Sequence, residues 1–124
     1  MTPEIAQALI VAARILVGAL FIIGGIRHFP ALDPMSAAMT ERGVPQAKFV
    51  LIAGSIYQVL LGITLALGFF VTASAFGLIV FTALATFMML NFWDKEGAQR
   101  NALFNGFLSN VAICGGLLAL AATA

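Results

Sequence analysis

The chain has 124 residues, of which 62% are hydrophobic and 9% are charged, and its mean hydropathy is +1.08. A soluble domain carries about 25% charged residues and could not bury this much apolar surface, so the composition excludes an ordinary soluble fold. The net charge of +1 gives no basic surface of the kind that binds nucleic acid. We therefore expect a small integral membrane protein whose first partner is the lipid bilayer.

The first predicted element is a transmembrane helix over residues 5–26. Pro3 suits the first turn of a helix, and Glu4 suits its positive end. No basic leader precedes the apolar run, so we expect this helix to stay in the membrane rather than to be cleaved as a signal peptide. Arg14 is the charged residue inside it.

The next segment, residues 27–48, is the longest polar stretch, and three prolines interrupt it. Within it, Asp33 could cap a short amphipathic helix over residues 35–42 that lies at the membrane interface. Met35, Ala38 and Met39 would then share the apolar face. An ordinary loop explains the same residues equally well.

No charged residue occurs between Lys48 and Asp94. This run is too long for one span, which needs roughly 20 apolar residues. We predict two transmembrane helices, over residues 49–67 and 73–92, joined by a tight turn at 68–72.

A polar loop at 94–100 and a fourth helix over residues 102–121 complete the chain. Four short connected spans predict an all-α fold, a single domain over 1–124 in the form of an antiparallel four-helix bundle. Lys and Arg fall in the loops 27–48 and 94–100 and are absent from the turn and the termini. The positive-inside rule therefore predicts that both loops are cytoplasmic and that both termini lie outside.

Two predicted helices carry a polar residue within a stripe of small residues at four-residue spacing. Such stripes let helix backbones approach closely, and they could serve within one bundle or between two copies of the chain. Both polar residues, Gln58 and Asn110, lie near mid-membrane, and Thr82 and Thr86 could line the same interior. Cys114, the single cysteine, is interpreted as a small packing residue. The stripes are Gly54, Gln58, Gly62 and Ala66 in the second helix, and Gly106, Asn110 and Cys114 in the fourth.

Arg14 lies roughly 14 Å inside the first predicted helix. A charge at that depth costs about 2.5–3.5 kcal/mol, so we expect Arg14 to face the bundle interior, although snorkelling to the outer interface is an alternative. There Gln58 and Asn110 could accept hydrogen bonds from the guanidinium. Such a cluster either stabilises the bundle through interhelical hydrogen bonds, each worth about 0.6 kcal/mol, or forms a pocket in which Arg14 binds an anionic or carbonyl ligand.

Residues at the cytoplasmic ends of the helices form a second group. Trp93 fits the aromatic belt at the end of the third helix, where Asn91 could cap the helix. His28 ends the first helix, and an interfacial position fits it better than a proton-handling role. With one His and one Cys in the chain, we expect no metal site.

Four motifs in order give the chain its resemblance to DoxX-like membrane proteins, and the resemblance covers almost the whole chain. It implies a four-helix membrane protein of a bacterial cell (inner) membrane. Some relatives act beside soluble oxidoreductases in quinone-linked sulfur oxidation or oxidative-stress complexes. The resemblance carries over Arg14, Gln58, Asn91, Trp93 and Asn110 as ligand-binding positions. The motifs are the run from Arg14 to Arg27 with Gly18, Gly24 and Gly25, then Gly43-Val44-Pro45, Asn91-Phe92-Trp93, and Asn110 with Gly115-Gly116-Leu117-Leu118.

Two departures from the family pattern weaken a catalytic role. Gln58 stands where many members carry Glu, and Leu90 stands where many carry His. The leading hypothesis is therefore a non-catalytic or weakly catalytic bundle that binds a quinone-like or lipid ligand and supports a partner oxidoreductase. The alternatives are a small transporter or proton path, and a purely structural or assembly protein.

Overall fold

The computed structural model describes residues 2–89 and 96–123, and within them every regular element is helical. A single turn of 3-10 helix, Phe29–Ala31, connects helix α1, Pro3–His28, to helix α2, Leu32–Glu41. Four helical segments are long and apolar enough to cross a membrane, the first of them comprising α1 and α2 together. The expected all-α fold with four spans is confirmed. The helices are α1 Pro3–His28, α2 Leu32–Glu41, α3 Ala47–Leu67, α4 Val71–Met89 and α5 Gly97–Ala121.

Helix α1 begins two residues before the predicted start, with Pro3 in its first turn as the sequence predicts. The Thr2 hydroxyl accepts a hydrogen bond from the backbone N–H of Ile5 at 3.2 Å, and Pro3 occupies the first turn, where its missing N–H costs nothing. The observed helix extends two residues beyond the predicted range at each end, because capping and not apolarity sets where a helix starts.

Helix α2 resolves the choice between a helix and a loop in favour of the helix, but it begins at Leu32, so Asp33 lies inside its first turn and the predicted Asp33 cap is wrong. It ends at a turn in which Gly43 adopts φ +85°, a conformation that glycine reaches without strain. Met39 is 3% exposed and packs with Ala47 and Leu51 at the start of α3. The amphipathic helix is therefore folded back against the bundle.

Helices α1 and α3 form the most extensive pair in the bundle. A β-carbon on Gly18 would lie 2.6 Å from the carbonyl oxygen of Gly62, and one on Gly25 would lie 3.0 Å from that of Ser55. The backbones therefore touch, as predicted for the small-residue stripe of the second span. Around the bundle the order is α1, α3, α4, α5, and the contact between α5 and α1 is the smallest of the four sides.

The turn between α3 and α4 is shorter than predicted. Gly68 ends α3 with φ +86° and Phe70 has φ +50°, so α4 begins at Val71, two residues early. The start of α4 is joined to the end of α5, since Thr72 Oγ1 donates to the carbonyl oxygen of Ala121 at 3.2 Å.

Helix α5 begins at Gly97, five residues before the predicted start at 102. The prediction followed the apolar span, but helical hydrogen bonding continues into the polar residues that precede it. The part of the predicted loop at 96–100 is therefore mostly helical.

Candidate functional site

A cavity of about 530 Å³ lies among the five helices, in the half of the bundle that α2 covers. Its volume falls in the range of pockets that hold small molecules. Its walls are mainly apolar, and α2 contributes two methionines to them. The principal apolar lining residues are Leu20, Phe21, Met35, Met39, Phe81 and Met88, and the polar ones are His28, Ser55, Gln58, Thr82 and Asn110.

Gln58, on α3, is 5% exposed and has one satisfied and one unsatisfied end. Its Nε2 donates to the backbone carbonyl of Phe21 on α1 at 2.9 Å, while its Oε1 is buried without a hydrogen-bond partner. A β-carbon on Gly24 would lie 3.0 Å from Nε2, so glycine keeps this space open. A buried acceptor left unpaired costs about 1–3 kcal/mol.

His28, at the end of α1, lines the cavity beside Ser55 of α3. Its Nδ1 lies 2.8 Å from Ser55 Oγ, and that hydroxyl donates its one proton to the carbonyl oxygen of Leu51 at 2.7 Å. Nδ1 must therefore be the donor to Oγ, which leaves Nε2 as an acceptor in the neutral ring. The predicted interfacial placement of His28 missed this pairing. The signal was present, because Ser55 lies one turn before Gln58 on the same helix face.

A chain of hydrogen bonds joins α4 to α5 along the opposite wall. Asn110 Nδ2 donates to Thr86 Oγ1 at 2.9 Å, and Thr86 Oγ1 donates to the carbonyl oxygen of Thr82 at 2.6 Å. The hydroxyl of Thr82 is itself buried without a partner. Asn110 and Thr82 therefore retain hydrogen-bonding capacity on the cavity wall.

Arg14 does not join Gln58 and Asn110, so the predicted three-residue cluster is wrong. With Gly18 against Gly62, the antiparallel register places the Arg14 guanidinium beside Gly68, past the end of α3. From Gln58 to Gly68 the helix rises about 15 Å. The prediction counted depth from the start of α1, but α1 has 26 residues and α3 has 21, so α1 extends past its neighbour.

The remaining predicted positions have mixed outcomes. Gln58 and Asn110 line one cavity, whereas Asn91 and Trp93 lie outside the described residues. Across residues 2–89 and 96–123, no three His, Cys, Asp or Glu side chains approach one another as metal ligands would. The structure therefore offers polar, uncharged groups for a ligand, and His28 with Ser55 must be added to the predicted pair.

Four apolar spans around a partly polar cavity define a small integral membrane helical bundle. The chain belongs to the DoxX family, whose model matches residues 9–91. It is also similar to the Inner membrane protein YphA of Escherichia coli (strain K12), with 30% identity over 115 residues, covering 93% of this chain and 82% of that protein. No solved structure matches the chain closely enough for comparison.

Proposed function

We propose that the cavity binds a neutral, lipid-soluble ligand with hydroxyl or carbonyl oxygens, either quinone-like or a lipid. The observation that carries this proposal is the buried, unpaired Oε1 of Gln58 beside an otherwise apolar cavity. A hydroxyl of a lipid, or of the reduced, quinol form of a quinone, could donate to this oxygen and remove the cost of leaving it unsatisfied. His28 Nε2 offers a second acceptor, and the Thr82 hydroxyl offers a donor.

The lining favours a neutral ligand over an ionic one. Among the described residues, no Lys, Arg, Asp or Glu side chain lines the cavity. A charged ligand would therefore be desolvated without a counterion, at a cost of several kcal/mol. The apolar walls and the methionines of α2 suit an aromatic or aliphatic body, because the flexible thioether side chain packs against irregular shapes.

The route to the cavity supports a ligand that dissolves in the bilayer. Leu20 on α1 and Leu84 on α4 both line the cavity, and their side chains are 48% and 60% exposed. We therefore propose that the ligand enters at these exposed apolar residues, from the lipid that surrounds the bundle. Helix α2 covers one end of the cavity with Met35 and Met39.

The cellular setting follows from the resemblance and from the relative's name. We propose an inner-membrane location, with the loops 27–48 and 94–100 cytoplasmic and both termini outside, as the distribution of Lys and Arg favours. There the bundle would act as a membrane subunit or accessory of a redox system, quinone-linked or for oxidative stress. Asn91 and Trp93, which lie outside the described residues, stay proposed ligand positions.

The test is mass spectrometry of small molecules that remain with the protein in nanodiscs formed directly from native membranes. We expect a defined quinone or lipid with the parent and about a tenfold loss in Gln58→Leu, since one hydrogen bond to a buried group is worth about 1–1.5 kcal/mol or more. Gln7→Leu makes the same change at an exposed site on α1 and should retain the ligand.

A second variant protects the test against misfolding of Gln58→Leu. Thr82→Val removes only an unpaired hydroxyl and keeps the side-chain shape, so it should fold and yet retain less ligand. Identical extracts from the parent and all three variants would contradict the cavity proposal.

A structural role is the second candidate, because the Gln58 Nε2 bond to Phe21 O joins two helices. It predicts that Gln58→Leu lowers the unfolding midpoint while no small molecule distinguishes the parent from the variant. A transporter role would instead require net substrate movement in a liposome flux assay with the purified protein.

A further inference from the structure

Arg14 lies at the opposite end of the bundle from α2, against the turn between α3 and α4. A β-carbon on Gly68 would lie 2.9 Å from Arg14 Nη1, 3.1 Å from Cζ and 3.2 Å from Nη2. Gly68 also has φ +86°, which disfavours any other residue. The guanidinium therefore lies flat against the backbone at Gly68, where no side chain separates the two.

Within the part of the chain that the structure describes, no carboxylate neutralises this cation. Lys48 forms an ion pair with Asp33, on α3 and α2, at the opposite end of the bundle. Glu41 and Glu96 lie with that opposite end, and Glu4 lies about 15 Å along α1 from Arg14. Arg14 Nε is buried and has no hydrogen-bond partner. A guanidinium that is partly desolvated and has no anion among the described residues favours an anionic ligand.

The depth of the site identifies where that anion comes from. Phe69 and Phe70, in the turn, are 61% and 79% exposed, and the turn has no charged residue, so it lies in or against the bilayer and not in water. Helices α3 and α4, of 21 and 19 residues, rise about 28–32 Å, close to the hydrocarbon thickness of roughly 30 Å. Arg14, level with the end of these helices, is therefore near the lipid phosphates.

The start of α4 adds to the positive potential at this place. Helix α4 begins at Val71, and Phe70 before it has no side-chain oxygen to cap the first N–H groups. The positive end of the helix dipole thus lies close to the Arg14 cation, and both favour an anion.

We infer that Arg14 and the Gly68 turn bind the phosphate of an anionic phospholipid from the adjacent leaflet. The planar guanidinium can donate two parallel N–H bonds to phosphate oxygens, which a lysine cannot reproduce. The acyl chains of the lipid would lie along the exposed phenylalanines. This site is independent of the cavity at the other end of the bundle.

The test follows the thermal unfolding midpoint of delipidated protein in detergent during titration with phosphatidylglycerol, phosphatidylcholine or inorganic phosphate. We expect phosphatidylglycerol to raise the midpoint of the parent, phosphatidylcholine to act more weakly, and inorganic phosphate to have no effect at matched concentration. Arg14→Gln should weaken the apparent affinity for phosphatidylglycerol about tenfold or more.

Two further variants complete the test. Arg27→Gln removes an exposed arginine from the other end of α1 and should respond like the parent. Arg14→Lys keeps the charge but loses the planar donor pair, so its affinity for phosphatidylglycerol should be intermediate. If Arg14→Gln does not fold, Arg14→Lys is compared with the parent instead.

Three results would overturn the inference. The first is an equal response to phosphatidylglycerol in the parent and in the Arg14 variants. The second is a response in Arg27→Gln as weak as in Arg14→Gln, which would indicate attraction to net charge alone. The third is a midpoint shift of the same size with inorganic phosphate, which would assign the site to free phosphate and not to lipid.

Discussion

At the scale of single residues, helix α4 carries both a satisfied and an unsatisfied hydroxyl beside the cavity. Thr86 and Thr82 show the difference one helical turn apart. The Thr86 hydroxyl accepts from Asn110 Nδ2 and donates to a backbone carbonyl, whereas the Thr82 hydroxyl has no partner. In hydrocarbon no water can hydrogen-bond to an unpaired hydroxyl, so the difference should change the free energy of unfolding.

Matched Thr→Val substitutions at these two positions test this difference. Thr86→Val breaks two hydrogen bonds and leaves Asn110 Nδ2 unpaired, so we expect a loss of about 1–3 kcal/mol in the free energy of unfolding. Thr82→Val should be neutral or stabilising, since it removes a buried group that makes no bond in the structure. Reversible unfolding in mixed micelles measures both, and an equal cost at the two positions would contradict the assignment of bonds.

At the scale of helices, the four-residue stripe in α3 predicted close packing but could not name its partner. The contact of Gly62 with Gly18 identifies α1 as that partner and sets the register of the pair. Shifting this register by one turn would move Arg14 about 5 Å along α3, and no feature of either helix read alone determines it. For this reason the spans could be predicted from the sequence, whereas the separation of Arg14 from Gln58 could not.

Alanine substitution distinguishes the glycines that touch a neighbouring helix from those that do not. Gly18→Ala would place a β-carbon 2.6 Å from the Gly62 carbonyl oxygen, and backbone cannot move aside cheaply. We expect a destabilisation of about 1–3 kcal/mol.

Gly115→Ala and Gly116→Ala are the controls, because a β-carbon at either position meets nothing within 4 Å. They should be neutral, or stabilising by up to about 1 kcal/mol because alanine favours helix. Denaturation of all three in the same micelles gives the comparison. A Gly18→Ala protein as stable as the Gly115→Ala protein would argue against direct backbone contact.

At the scale of the whole molecule, the cavity depends on a segment that the sequence left undecided. The residues of α2 were equally compatible with a loop, and only their packing against the start of α3 places Met35 and Met39 beneath Gln58 and Asn110. Periodicity predicted the apolar face of α2 but not the cavity it would cover. The pairing of His28 with Ser55 was not predicted for the same reason, since Ser55 comes from a different helix.

The proposed topology gives a prediction for the whole molecule. In a Cys114→Ser background, we expect Thr123→Cys, which is exposed after the end of α5, to react with a membrane-impermeant maleimide applied to intact cells. A cysteine at Gln99, which is exposed near the start of α5, should react only after the cells are opened. Labelling in the reverse order would show that the basic loops face outward.

The unequal lengths of α1 and its neighbours have a further consequence for the surrounding bilayer. With Arg14 level with the end of α3, the part of α1 from Pro3 to Ala13 rises about 16 Å further. It carries Ile5 and Leu9, which are 53% and 54% exposed. The protein therefore presents two hydrophobic thicknesses to one membrane, and the mismatch must be relieved by tilt of α1, which brings its first residues into the interface at the level of Arg14. The stability of the fold should consequently vary with acyl-chain length and be highest in bilayers whose thickness lies between these two values.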